Sequence, residues 1–368
     1  MSTLYITNGK LIDGSSIEIL VEDGKIVDFG EKLELARLKP DVTLNLYGKF
    51  ISAGWIDDHV HCYEKMNLYY DFPDTIGIAR GVTTVIDAGT SGINNIDDFY
   101  SLAKNCKTNV LAMVNISEWG IVEQNELEDL TKIKPEKVKE KIAEMPQFIV
   151  GIKARMSKTV VGPNGVTPLK LAKQIQKEND NIPLMVHIGS NPPKLEEVFE
   201  LLEAGDIVTH CFNGKPNGIV DQETGKIKAF AMAAHKRGVV FDIGHGTDSF
   251  NFNTGKTAFE SQLIADSISS DIYIRNRTNG PVYDLATTMD KLHYIGYSWG
   301  DIIDKVTVQP AKNFRLVTKG KIEKGYDADF TVFEINHEAK TLIDSNHNEK
   351  TTYESLVPKM AIVNGVIY

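Results

Sequence analysis

The chain has 368 residues, 42% hydrophobic and 24% charged, with a formal net charge of −10. That is enough apolar material for a large core, and the acidic balance argues against nucleic acid or an anionic membrane as partner. No basic segment with an apolar run opens the chain, no stretch approaches a membrane span, and the three cysteines lack paired spacing, so a reduced, cytoplasmic protein is expected.

Residues 1–52 read as short strands at 4–9, 17–21 and 25–29, with Asn8-Gly9 and Asp23-Gly24 as hairpin turns, because Asn, Asp and Gly tolerate positive φ. Residues 318–368 answer them with strands at 329–333 and 360–368. Neither end carries enough apolar residues for its own core. Pairing them into one composite β-sandwich domain removes the exposed edges each would otherwise present. Between them, in residues 53–317, apolar runs at 82–87, 110–115, 148–155, 183–187, 206–210 and 239–242 alternate with helix-like segments. Thr167-Pro168 and Asn191-Pro192 mark helix starts, while Gly205 and Gly238 mark helix ends. An opening strand and a last one near 268–271 bring the count to eight, the number that closes a (β/α)8 TIM barrel. The polar run 336–352 reads as an exposed loop.

Alternate residues of an extended strand share a face, so Asp57, His59 and His61 point one way. Two imidazoles at that spacing suit one divalent cation; the alternative is a hydrogen-bonded surface pair. The choice depends on further ligands at later strand ends, where barrel chemistry sits. Strand 148–155 places Lys153 and Arg155 on the face of Ile149 and Gly151. A lysine buried there is costly unless it snorkels to solvent or is neutralised, for instance by reacting with CO2 to form an anionic, metal-bridging carbamate. Arg155, one step nearer the mouth, suits either a substrate carboxylate or a structural ion pair. His187 and His210 close the next two strands, and Asp271 supplies a carboxylate on the eighth, with Asp266 a rival that falls before the strand. Asn213, just after His210, and His245, between Gly244 and Gly246, lie where loops reach the mouth and are candidate substrate contacts. Cys62 and Cys211 fall on the opposite strand faces, as small buried hydrophobes.

The Asp57-x-His59-x-His61 strand, Lys153, His187, His210 and Asp271 together resemble the amidohydrolase superfamily. So does the tail, with Thr307-Val308-Gln309-Pro310-Ala311 and the run from Gly320 to Asp329. The resemblance covers essentially the whole chain. It implies two divalent ions, with Zn2+ the expected metal: one held by His59, His61 and Asp271, the other by His187 and His210, bridged by carboxylated Lys153. It further implies hydrolysis of a small acyl or cyclic amide, or ester, by metal-activated water, with Asp271 as general base and then acid. A small-molecule substrate follows, and homo-oligomerisation is left open. Dihydroorotases usually carry arginine where Tyr63 stands, and Glu64 is one place from the glutamate of bacterial adenine deaminases. The Gly-Ile-Lys-Ala-Arg and Ile-Ser-Ser-Asp strings look most like dihydroorotase-like deacetylases acting on acylated hydroxy acids, so a carboxylate-bearing substrate is expected. An adenine deaminase or a dihydroorotase-type cyclic amidase is the alternative within enzymes. A non-catalytic scaffold on the same fold is the alternative outside them, opposed by every ligand position being filled.

Overall fold

The computed structural model describes residues 2–34 and 39–368; residues 1 and 35–38 of the expected composite domain lie outside the described residues. Seven parallel strands, Trp55–Val60, Val82–Ala88, Asn109–Asn115, Ile149–Met156, Leu184–Ile188, Ile207–Thr209 and Val240–Phe241, each pair with their sequence neighbours. Segment 267–272 closes the ring through parallel bridges from Asp242 to Ser267 and from Val60 to Ile272. The expected eighth strand therefore exists as a position but lacks a regular ladder. Backbone bonds still tie it to the first barrel strand, the Asp271 amide to the His59 carbonyl and the His61 amide to the Ile272 carbonyl, but the run is interrupted where the Ser270 amide goes to the Asp57 carboxylate. Ile56, Ile86, Met113, Met185 and Ile207 form a buried apolar cluster shared by the barrel strands, and a larger cluster packs strands against helices. The helix Ala229–Arg237 ends on Gly238 at φ 93, as its sequence predicts. The helix expected from Leu195 forms as Leu195–Leu201, with Lys194 in place of Asn191 as its cap.

The termini meet as expected. Strands Thr3–Lys10, Ser16–Glu22, Lys25–Gly30, Val42–Asn45 and Phe50–Ala53 join Phe330–Asn336, Ser355–Val363 and Val366–Ile367 in one eight-stranded sheet. The layers of the expected sandwich are thus continuous with one another. The joint is the antiparallel pairing of Phe50–Ala53 with Phe330–Asn336, and Ile6, Ile19, Ile51, Phe330, Val332 and Ile362 pack into one core across it. Each such side chain contributes about 1.5–3 kcal/mol on burial, and half the set comes from each end of the chain or close to it.

Two turn expectations are corrected. Asn8-Gly9 forms a register break inside the first strand, where a side chain on Gly9 would crowd Ile51 at 3.0 Å. The hairpin turn lies later, around Asp13, whose carboxylate accepts from the Ser15 amide at 2.9 Å. The run 336–352 is also not a plain loop. It forms the hairpin Lys340–Ile343 and Glu349–Thr352, whose turn buries Asp344 and hands its carboxylate to the Phe252 amide at 3.0 Å. A polar sequence is here an ordered brace because its polar groups bond one another and the barrel.

Candidate metal centre

The barrel's strand ends fix which nitrogen each histidine offers. His59 Nδ1 lies 2.8 Å from Thr209 Oγ1, and that hydroxyl donates to Asp242 Oδ2 at 2.7 Å. The threonine proton is therefore committed, so His59 Nδ1 must be the donor. His61 repeats the arrangement: Nδ1 is 2.7 Å from Thr90 Oγ1, which donates to Asp87 Oδ2 at 2.7 Å. His210 Nδ1 lies 2.6 Å from the Gly244 carbonyl, which can only accept. All three rings thus carry the proton on Nδ1 and leave the Nε2 lone pair for a metal, the arrangement outer partners impose on ligand histidines. Burial holds His59 and His187 well below the ordinary imidazole range and His210 down to about 3, so these rings are neutral, the ligating form.

The free nitrogens converge. His61 Nε2 is 3.1 Å and His59 Nε2 3.4 Å from Asp271 Oδ1, and His210 Nε2 is 4.0 Å from Oδ2. The ring centroids of His187 and His210 are 4.5 Å apart. Burial works to raise the Asp271 carboxyl, but its polar neighbours His61, His210 and Lys153 together outweigh burial and hold it low. His210 and Asp271 both sit at positive φ, 68 and 51, a cost that non-glycine residues bear where a site needs it. Lys153 reaches the same point, with Nζ 3.1 Å from His59 Nε2 and 3.3 Å from Met185 Sδ. Its approach depends on Gly89 at φ +77, where any Cβ would lie 2.5 Å from that of Lys153. Burial drives the lysine amine down to about 7 despite the opposing pull of Asp271. Among the described residues its hydrogen-bond partners are an imidazole nitrogen and a thioether, poor company for an ammonium and good company for a neutral amine. His59, His210 and Asp271 each offer a ligand atom within 4.8 Å of the others. The donor set therefore fits divalent cations, and Lys153 is placed beside them.

The centre floors a cavity of about 260 Å³. Arg155 lines it, with Nη1 at 3.1 Å from both Glu126 oxygens and Nη2 at 3.0 Å from Gln124. The structure places Asn213 and His245 differently from expectation: neither lines the cavity. Asn213 bonds the His210 carbonyl and the Lys215 amide, stapling the loop after the sixth strand. His245 lies beneath the next loop, with Nδ1 on the Gly246 carbonyl at 2.8 Å and Nε2 on Lys291 at 2.8 Å. Asp266 does not line the cavity and instead accepts from the Phe241 amide of the seventh strand. Cys62 and Cys211 are buried, as expected. Sequence reasoning missed Thr90, Thr209, Glu126 and Lys215. The first two stand at strand ends beside a carboxylate or a histidine, a usable signal; Glu126 lies in irregular chain and carries none.

Solved structures share this fold. One described as an adenine deaminase superposes with a TM-score of 0.98 at 57% identity, covering 100% of both chains. Another, a dihydroorotase, gives 0.91 at 35% identity, covering 100% of this chain and 97% of the other. With the barrel and its ring of histidines, these make the chain a hydrolase of the amidohydrolase superfamily, acting on carbon–nitrogen bonds. A deacetylase of Enterococcus faecalis (strain ATCC 700802 / V583) is 58% identical over 99% of this chain and 98% of its own. A deacetylase of Agrobacterium fabrum is 36% identical over 96% and 87%. Residues 322–368 match the family described as the deacetylase-like composite domain. The chain belongs to the deacetylase-like family.

Proposed function

We propose that this protein is a binuclear metal-dependent hydrolase that removes a small acyl group, in the manner of a deacetylase, from a carboxylate-bearing amide or ester. His59, His61 and Asp271 would hold one divalent ion, His187 and His210 the other, with Lys153 as a carbamate between them and Zn2+ the metal its imidazole and carboxylate donors suit. When bound, such ions supply an activated water and an electrophile for the carbonyl oxygen. The chain's own groups do the rest. Asp271, beside His61, accepts a proton from the attacking water and returns it to the leaving amine or alkoxide as the acyl–heteroatom bond breaks. Thr90 and Thr209 hold the imidazoles in one tautomer throughout. Arg155, on the cavity wall, is the proposed hydrogen-bond donor to the substrate's carboxylate.

One observation carries this reading: four imidazoles, an amine and a carboxylate from five strand ends meet, and the outer nitrogens of three of the imidazoles, His59, His61 and His210, are already occupied. The test is an assay of metal-loaded protein on N-acetyl and O-acetyl acids beside adenine and dihydroorotate. Turnover of acetylated acids is expected. Turnover of adenine or dihydroorotate instead would move the assignment to the activity of one of the structural relatives.

A further inference from the structure

Two cations line the cavity, and they are in different states. Arg155 spends Nη1 on both oxygens of Glu126, which is 3% exposed, and Nη2 on Gln124. As a buried pair, Arg155 and Glu126 are neutral overall; the guanidinium can donate hydrogen bonds but brings no net charge. Lys215 differs. Its backbone is stapled on both sides, with the amide on Asn213 Oδ1 at 3.0 Å and the carbonyl accepting from Gly218 at 2.9 Å. Its side chain lines the cavity beside His187 and His210. Among the described residues its Nζ makes no hydrogen bond or ion pair. Burial chiefly, and the Lys215 charge in addition, hold those two imidazoles low. Of the carboxylates on the cavity wall, Asp271 belongs to the metal centre and Asp248 is exposed at the rim without an ion-pair bond to Lys215.

We propose that Lys215 is the specificity-determining cation of this pocket, supplying the uncompensated positive charge that selects substrates with a carboxylate next to the scissile acyl group, while the Arg155–Glu126 pair acts as a charge-neutral donor wall. This rests on the hydrolytic reading of the site. A half-buried ammonium held by a stapled loop, with no protein anion on it, is a ready partner for a ligand anion in a partly desolvated cleft.

The test compares O-acetyl-lactate with its neutral primary amide on metal-loaded protein, and measures lactate binding by calorimetry. Lys215→Met should raise KM for the acid by tenfold or more and weaken lactate binding by a similar factor. It should leave kcat/KM for the amide within about threefold, and the salt dependence of kcat/KM for the acid should flatten. Lys215→Arg should keep most of the preference. Equal losses on acid and amide, or an unchanged KM and lactate affinity, would overturn the assignment, as would wild-type protein that does not bind lactate at all. Hydrolysis of neither acetyl compound alongside Lys215-dependent lactate binding would instead sink the hydrolytic reading and leave the anion site standing.

Discussion

Lys291 offers a direct measurement of what holds the cavity wall. It is fully buried on the helix Leu285–Ile295, and its amine donates to His245 Nε2 at 2.8 Å and to the Pro281 carbonyl at 2.7 Å. Because His245 Nδ1 is the donor to Gly246, its Nε2 is an acceptor, so a neutral amine with two N–H groups satisfies the site. Burial, assisted by Lys340 and opposed by Asp344, Asp284 and Asp290, takes the lysine from 10.5 to about 7, and burial keeps His245 neutral. The folded pKa is thus depressed below the unfolded one. Between about pH 7 and 10 the unfolded chain binds one more proton at this lysine than the folded chain, so its contribution to stability rises with pH by up to about 1.4 kcal/mol per unit. Lys291→Met abolishes that slope and leaves two buried acceptors unpaired, at about 1–3 kcal/mol each. Near pH 6 relief of the buried charge offsets that loss, and the variant should be close to wild type. By pH 9.5 it should be about 2–4 kcal/mol less stable. Denaturant unfolding of both proteins across this range gives the difference directly, and other titrating groups cancel in it. A gap between wild type and variant that stays constant with pH would refute the neutral-amine assignment.

Other outcomes follow from the centre itself. Purified protein should carry close to two divalent ions per chain, with His187→Ala and His210→Ala each losing one preferentially in elemental analysis. Asp271→Asn should lower kcat by at least about 10² with the fold intact, whereas Asp266→Asn, altered at the far end of the barrel, should stay active. Lys153→Ala should lose most metal and nearly all activity, with partial recovery in acetate or propionate; reconstitution in CO2-depleted buffer should be slow and quickened by bicarbonate. An active two-metal enzyme whose Lys153 mass is unmodified would remove the carbamate from the scheme.

The ligand positions were legible in the sequence because strand alternation is local: His59 and His61 two apart, and Lys153 and Arg155 two apart, need only an extended backbone to share a face. The barrel was legible for a related reason, since each unit declares itself as an apolar run followed by a helix with its own start or stop residue. Asn213 and His245 were misplaced because both sit in loops, where position along the chain does not fix direction. Lys291, which decides where His245 points, lies 46 residues later on a helix whose pattern gives no reason to bury a lysine. Glu126 escaped for the same cause, being brought to Arg155 by an irregular segment 29 residues upstream. Asn336–Thr352 looked like solvent-exposed loop because composition records polarity and not whether polar groups find one another.

The eighth strand shows why ligand positions and regular structure part company here. A strand there would place Asp271 in an extended conformation, pairing with the first strand through successive amides and carbonyls. The chain keeps such a bond, from the Asp271 amide to the His59 carbonyl at 2.7 Å, but turns at φ 51 and ties Ser270 to Asp57 through both its amide and its hydroxyl, at 3.0 and 2.5 Å. Asp57 is buried and pushed up to about 7, a cost set chiefly by burial, and it spends both oxygens on this one neighbour. Gly246, at φ +54, passes so close that a Cβ would lie 2.4 Å from Asp271 Oδ2, so the seventh loop and the first strand hold the carboxylate from opposite sides. The left-handed turn is what aims Asp271 across the barrel mouth toward His59, His61 and His210, where a regular ladder would have aimed it along the wall. A Gly246→Ala change should accordingly move the carboxylate without touching any ligand. Loss of activity with bound metal retained would show that the aim of Asp271, and not its presence, is what this irregular strand exists to set.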